Sequence, residues 1–256
     1  MNRLSILIAA AGVVLLAGCS PSTASDAGQA TKQGYITLSP DNGGGAGASF
    51  CSMWRPQIPY CILTTTGACT SFDCPRDGSN PNNTTCAPSG AGTISAAVGT
   101  RSLLLAESPT NGLYAAAANA PGNWWTGGEA ITLSATGLDG GVPAFTATLT
   151  APARLTMAYA NDGGRVSVTK GSALTVTWPA GIGTASLSFT GRWAGAFCFV
   201  DASTGTFVVP SAVTQALDPG PGIIQLANTQ STNLSVEDWS IGISASVSDI
   251  RVTNVE

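Results

Sequence analysis

The sequence predicts an all-β fold, an antiparallel β-sandwich with a disulfide-rich N-terminal part and one short helix. Three observations carry this. Apolar residues alternate with Ser and Thr over run after run, which is the period of a strand with one buried face. Turn formers separate the runs at intervals of about 8–12 residues, spacing that suits an antiparallel sandwich and not βαβ units. Six cysteines follow position 50, an even number that reads as three bridges in an exported chain.

The elements follow in order. Gly34 to Ser39 alternates, and Thr93 to Val98 and Ser102 to Ala106 are short apolar runs. Pro109-Thr110-Asn111-Gly112 is a turn, its Asn-Gly favouring a tight hairpin. From Glu129 onward Ile131, Leu133 and Ala135 point one way. So do Phe145, Ala147 and Leu149, then Leu155, Met157 and Tyr159. Leu174, Val176 and Trp178 alternate with Thr, and Ala185, Leu187 and Phe189 alternate with Ser. Phe197, Phe199, Ile241, Ile243, Ala245 and Val247 complete the inward set, with Trp239 opening the last strand. The runs are broken at Asp139-Gly140-Gly141, at Asp162-Gly163-Gly164, at Gly181-Ile182-Gly183 and at Pro219-Gly220-Pro221-Gly222. Only Ser211 to Leu217 reads as helix, capped by Ser211 and stopped by the Pro-Gly cluster. The sandwich is immunoglobulin-like in architecture, with residues 33–255 forming one domain that includes a cysteine-rich subregion, 51–86.

Composition narrows the chemistry. Of 256 residues only 9% are charged, against about 25% in typical soluble domains. Polarity rests on 30 Thr, 26 Ser and the backbone of 31 Gly. Histidine is absent. That excludes Ser-His-Asp and Cys-His catalysis and His-ligated metals. With a net charge of −4 and only 10 Lys and Arg, no basic surface is large enough to track a phosphate backbone, so nucleic acid is not an expected partner.

The N-terminus sets the expected compartment. Met1-Asn2-Arg3 is a short positive segment, and Leu4 to Leu16 is an apolar stretch of 13 residues. A spanning helix needs about 20, so this length fits a secretory leader. Leu16-Ala17-Gly18-Cys19 follows directly and resembles the lipobox of bacterial lipoproteins. The resemblance implies a signal peptide over 1–18, cleavage before Cys19, and a diacylglycerol on its sulfur with an acylated amine. Membrane attachment through that lipid, in the cell envelope at the outer membrane, is the implied location. More than one acyl chain is what makes such anchoring stable. Residues 19–32 are small and polar and read as a flexible tether, with an r.m.s. reach of about 20 Å.

The remaining cysteines are Cys51, Cys61, Cys69, Cys74, Cys86 and Cys198. Fifteen pairings are open to six cysteines. Since five lie between 51 and 86, one of them must join Cys198 and close a loop of more than 100 residues. The stretch 75–90 reads as a loop held by Cys74 and Cys86. No pair has the Cys-x-x-Cys spacing of structural zinc, and no metal or other cofactor is expected. The Asn-x-Ser/Thr triplets at 83–85 and 233–235 read as coincidence in a bacterial lipoprotein.

The stretches 127–137 (GGEAITLSATG), 142–152 (VPAFTATLTAP), 173–181 (ALTVTWPAG) and 198–217 (CFVDASTGTFVVPSAVTQAL) resemble segments of uncharacterised lipoproteins common in myxobacteria. The resemblance covers about a third of the chain. It implies location and fold and supplies no catalytic residue.

Candidate sites are few. A glycosidase needs two carboxyls about 5–10 Å apart. Glu129, Asp139 and Asp162 approach each other only if sandwich loops converge, and the two aspartates precede Gly-Gly, where turn chemistry alone favours Asp. The same aspartates, with Asn161, are the weak calcium option, with no EF-hand spacing. No Gly-x-Ser-x-Gly motif is present. Trp124 and Trp125 are the candidate ligand-binding pair. Adjacent residues on an extended chain point to opposite sides, so either at least one ring lies outside the core, free to stack on a sugar or anchor a protein, or both rings cap an end of the sandwich. The function expected is that of a non-enzymatic envelope lipoprotein, a binding or scaffolding module for an envelope glycan or protein. The alternative is a carbohydrate-binding module or a glycan-active enzyme using carboxylates.

Overall fold

Period-2 alternation becomes strands almost throughout. The protein is described by a computed structural model over residues 31–40, 46–54, 61–74, 86–107, 112–116, 123–158 and 165–256. The lipobox with Cys19, most of the tether, the loop 75–85 with its Asn triplet, the turn at 109–111, Tyr159, Asn161 and Asp162 lie outside the described residues. In the first half the strands are β1 (Thr31–Leu38), β2 (Gly47–Trp54), β3 (Ile62–Thr66), β4 (Cys69–Asp73), β5 (Cys86–Pro88), β6 (Ile94–Val98), β7 (Arg101–Glu107), β8 (Leu113–Ala116), β9 (Ala130–Ala135) and β10 (Phe145–Thr150). The second half holds β11 (Arg165–Val168), β12 (Leu174–Thr177), β13 (Thr184–Thr190), β14 (Ala194–Asp201), β15 (Thr206–Val209), helix α1 (Ser211–Ala216), β16 (Gly220–Val236) and β17 (Trp239–Val255).

One long curved sheet runs β10-β9-β6-β7-β8-β2-β1-β17-β16-β13-β14-β4-β3, with β5 added to β2 and β11 to β17. A small second sheet, β12-β15, forms separately. The pairing is antiparallel except at β17, which takes β1 and β11 as parallel neighbours. Sequence patterning does not carry strand direction, and these two parallel joints are what it left out.

The buried apolar residues fall into two clusters. The first contains Ile36, Leu38, Phe50, Trp124, Trp125, Ile131 and Leu133, together with Trp239 to Ala245 of β17. The second contains Cys69, Val176, Trp178, Leu187, Phe189, Cys198, Val213, Leu226 and Val255. The β16–β17 hairpin joins them. Its strands are 17 residues each and paired along their whole length. Along β17 the odd positions Trp239, Ile241, Ile243, Ala245 and Val247 are buried, and Ser240, Ser244, Ser246 and Ser248 are not. That alternation continues across both clusters, so one face of the ribbon backs both cores.

Three disulfides form: Cys51–Cys86, Cys61–Cys74 and Cys69–Cys198. The last bridges directly opposed residues of β4 and β14, and both its cysteines are fully buried. Cys74 and Cys86 do flank the 75–85 stretch, but each is tied to a different partner.

Three expectations are corrected. Leu155 and Met157 are buried, but their segment meets its neighbour only at an isolated bridge, Ala158 to Thr177, and forms no strand. Its backbone is held instead by Asp249, whose Oδ2 accepts from Met157 N at 2.9 Å. Ser211 is the first helical residue and not the cap. Pro210 occupies that position and makes no side-chain cap bond. Six residues are too few for a self-supporting helix. Helix α1 is fixed by Val213 and by fully buried Thr214, whose hydroxyl donates to Ser172 O at 2.8 Å. Third, Phe197 and Phe199 do not point inward. Cys198 does, because its bridge to Cys69 lies in the core, and the two flanking rings are turned to the opposite face.

Candidate functional site

The register around Cys198 builds an aromatic surface. On β14, Ala194, Ala196 and Cys198 are buried while Phe199 is 55% exposed. On β4, Cys69 and Ser71 are buried, so Phe72 shares the outer side with Phe197 and Phe199. The Phe72 and Phe197 rings lie 6.4 Å apart and the Phe197 and Phe199 rings 5.7 Å apart, both pairs tilted. Phe72 stands opposite Gly195, where a Cβ would come within 2.5 Å of its ring, so glycine is what lets that ring lie down across β14. Leu63 of β3, opposite Phe72, extends the strip and is 51% exposed. On the other flank Ser186 and Ser188 of β13 stand opposite Phe199 and Phe197. Among the described residues the charges on this stretch of sheet stand at strand ends, with exposed Asp73 closing β4 and Asp201 closing β14. The Asp201 carboxylate accepts from Ser203 N at 2.8 Å, a bond that holds its pKa below the usual carboxylate range.

The predicted Trp pair sits elsewhere. Trp124 and Trp125 are 2% and 3% exposed, and their rings meet edge-on at 4.6 Å. Of the two arrangements open to the pair, it takes the one with both rings turned inward. Asn123, just before the pair, adopts φ 52, a left-handed conformation, and the pair lies in the connection between β8 and β9 and not on a strand. Trp124 Nε1 donates to Ser39 O at 3.1 Å. Trp125 Nε1 is buried with no acceptor among the described residues. One edge of Trp125 lines a cleft of about 210 Å³, with Pro40, Asn123, Thr126, Pro152, Arg154 and Val247 around it. Clefts that hold drug-sized ligands run to about 300–1,000 Å³, so this one has room for little more than a single ring. Trp178 is core as expected, its Nε1 donating to Ala202 O at 2.9 Å.

Of the acid candidates, Glu129 is tied into its own turn. Glu129 Oε2 accepts from Thr126 N at 2.7 Å, and its other oxygen is ion-paired with Arg101. The Thr126 amide first, and Arg101 after it, hold its pKa below the ordinary value against the opposing effect of partial burial. A general acid in glycoside hydrolysis needs the opposite shift. Asp139 lies in the turn that follows Gly137, and Asp162 is outside the described residues. Among the described residues no group of three or more Cys, Asp or Glu side chains is placed to hold a metal ion.

No family model matches the chain, and no curated protein matches it. Several solved structures, among them the three that follow, are similar to it at a distance. One is described as structures of Clostridium thermocellum CbhA fibronectin(III)-like modules, at 10% identity over 87% of this chain and 90% of that one, TM-score 0.21. A second is Dscam1 isoform 9.44, N-terminal four Ig domains, at 11% identity over 64% of this chain and 37% of that one, TM-score 0.17. The third is Protocadherin Gamma B2 extracellular cadherin domains 3-6, at 10% identity over 89% of this chain and 51% of that one, TM-score 0.17. At these values the likenesses carry no argument. The fold stands on the strands and registers themselves.

The sequence reading missed the outer aromatic strip. A signal for it was present. In Phe197-Cys198-Phe199 only one parity can face the core, and a cysteine obliged to pair over a long loop is the better claimant.

Proposed function

We propose that this chain is an exported, lipid-anchored, non-enzymatic module that binds or scaffolds at the cell envelope. The observation that carries this reading is the cysteine pairing. All six cysteines after position 50 are joined in disulfides, which leaves Cys19 as the odd one, placed where a lipobox puts the lipidated residue. Disulfides of this number belong to oxidising compartments outside the cytoplasm. No helix among the described residues is long and apolar enough to cross a membrane, and attachment through Cys19 needs none. The non-catalytic part of the reading is supported by the lowered Glu129, by the absence of histidine from the sequence, and by an exposed surface of rings and hydroxyls with little charge.

The test is fractionation of cells expressing the full chain and its Cys19→Ala variant. Wild type is expected in the outer-membrane fraction, extracted only by detergent, and the variant is expected to lose that attachment. Tight membrane association of the variant would remove the anchor from the reading.

A further inference from the structure

We infer that the outer face of β3, β4, β14 and β13 is a docking surface for an uncharged polysaccharide chain. The inference rests on the reading of the protein as a binding module and names its ligand class and its contact residues.

Four observations lead there. Phe72, Phe197 and Phe199 form one continuous strip, with ring centroids 6.4 and 5.7 Å apart, on a sheet and not on a loop. A sheet-borne strip is already in place before the ligand arrives, so little ordering cost opposes binding. Second, the strip has apolar Leu63 on one side and the hydroxyls of Ser186 and Ser188 on the other. A sugar ring presents C–H groups on one face and hydroxyls around its rim. The C–H groups carry partial positive charge and pack on the negative face of an aromatic ring, while the rim finds donors and acceptors in serine. Third, the strip carries charge only at strand ends, Asp73 and Asp201, both acidic. A basic tract for an anionic polymer or lipid headgroup is missing from it, and the net charge of −4 opposes both. Fourth, β3 is an edge of the sheet, and residues 62–65 on it are exposed. Among the described residues no strand pairs with the outer side of β3, so the strip runs to that edge.

A second copy of the protein is the competing occupant, since exposed edges and apolar faces also pair with themselves. The low charge of the strip does not distinguish the two. The mixture of rings and free hydroxyls does: a homodimer face of this size is expected to be more uniformly apolar.

The experiment uses the full mature chain purified in detergent, with insoluble neutral β-glucan as the probe. Wild type, Phe199→Ala, the Phe72→Ala/Phe199→Ala double variant and a Ser188→Asp variant are each incubated with the glucan and sedimented. Because Phe199 is more than half exposed, its removal leaves the core intact. Retained near-UV circular dichroism and zero free thiols check this for every variant. Wild type is expected to co-sediment, with about tenfold weaker retention for Phe199→Ala and loss for the double variant. Ser188→Asp is expected to weaken retention without touching a ring. Wild type that stays in solution, or folded variants that sediment as well as wild type, overturns the inference. If the glucan is ignored and the Phe variants instead change the oligomeric state in sedimentation velocity, the face belongs to a second copy and the inference is again overturned. Soluble sugar released during the incubation would overturn the non-catalytic reading itself, a failure distinct from absence of binding.

Discussion

The two cores are fixed by different means. The first is an aromatic cluster. Phe50 meets Tyr114 at 5.9 Å and Trp239 at 6.2 Å, both edge-on, and the Trp124–Trp125 pair closes one end. Its disulfide, Cys51–Cys86, is peripheral, with Cys86 exposed. The second core has a disulfide at its centre, Cys69–Cys198, with both cysteines fully buried and Leu187 directly opposite Cys198. Where large rings are few, a covalent bridge replaces them. The ion pairs differ in burial: Arg251–Asp249 at 3.1 Å, whose carboxylate also holds Met157 N, is largely buried, and Arg101–Glu129 is half-exposed. The Lys32–Asp238 pair at 2.7 Å is between exposed side chains, and such pairs contribute about 0–1 kcal/mol.

Breaking the bridge of the second core is expected to have the largest effect. Cys69 and Cys198 are 129 residues apart, and chain-entropy reasoning puts the constraint near 5 kcal/mol. Replacing both by alanine is expected to lower the urea midpoint more than the same change at Cys61 and Cys74, whose separation of 13 is worth about 3 kcal/mol. Equal losses would mean that the buried bridge acts by packing and not through the unfolded chain.

Next come single truncations in the two cores. Trp124→Ala is expected to cost about 3–5 kcal/mol and Leu187→Ala about 2–5 kcal/mol. The ribbon β16–β17 backs both cores, so thermal unfolding of either variant is expected to remain one transition. Two resolved transitions would show that the cores melt independently. Smaller again is Asp218→Ala. This carboxylate accepts from Trp193 N at 2.6 Å and Ala194 N at 2.8 Å at the start of β14, and leaving those amides without it is expected to cost about 1–3 kcal/mol. Amide exchange is expected to rise there and not in the first core.

The smallest effect is a pH dependence. Glu129, just before β9, and Asp201, at the end of β14, both have lowered pKa values. Their contribution is present above the ordinary carboxylate values and is lost as the pH falls through the lowered ones. Both groups are exposed, so the acid limb is expected to be shallow. Glu129→Gln is expected to flatten part of it, which chemical denaturation at stepped pH will read.

Much of this architecture was legible in the sequence. The alternation Trp239-Ser240-Ile241 through Val247 predicts a half-buried strand and finds one. The odd distribution of cysteines predicts a long-range bridge to Cys198 and finds it. What failed did so for physical reasons. Phe197 and Phe199 are as apolar as any core residue, and hydropathy alone cannot say which parity faces inward. The Trp pair was offered as a binding surface from strand geometry, but it lies on no strand and both rings are buried. Strands β3 and β4 carry too many Thr and Ser to signal a sheet, and only their disulfide and their neighbours hold them there. The parallel joints at β17 depend on where distant segments meet, which no local pattern records.

That parallel joint has a mechanical consequence. β1 lies alongside β17 over seven paired positions, Lys32 with Trp239 through Leu38 with Ala245. The proposed tether leads into the start of β1, while the far end of β17 leads into the second core, which carries the aromatic face. Tension between an anchored N-terminus and a load held on that face pulls the two strands past each other lengthwise. In that geometry the bonds along the joint must yield together and not one at a time. A weak grip at the surface would then slip before the protein unravelled.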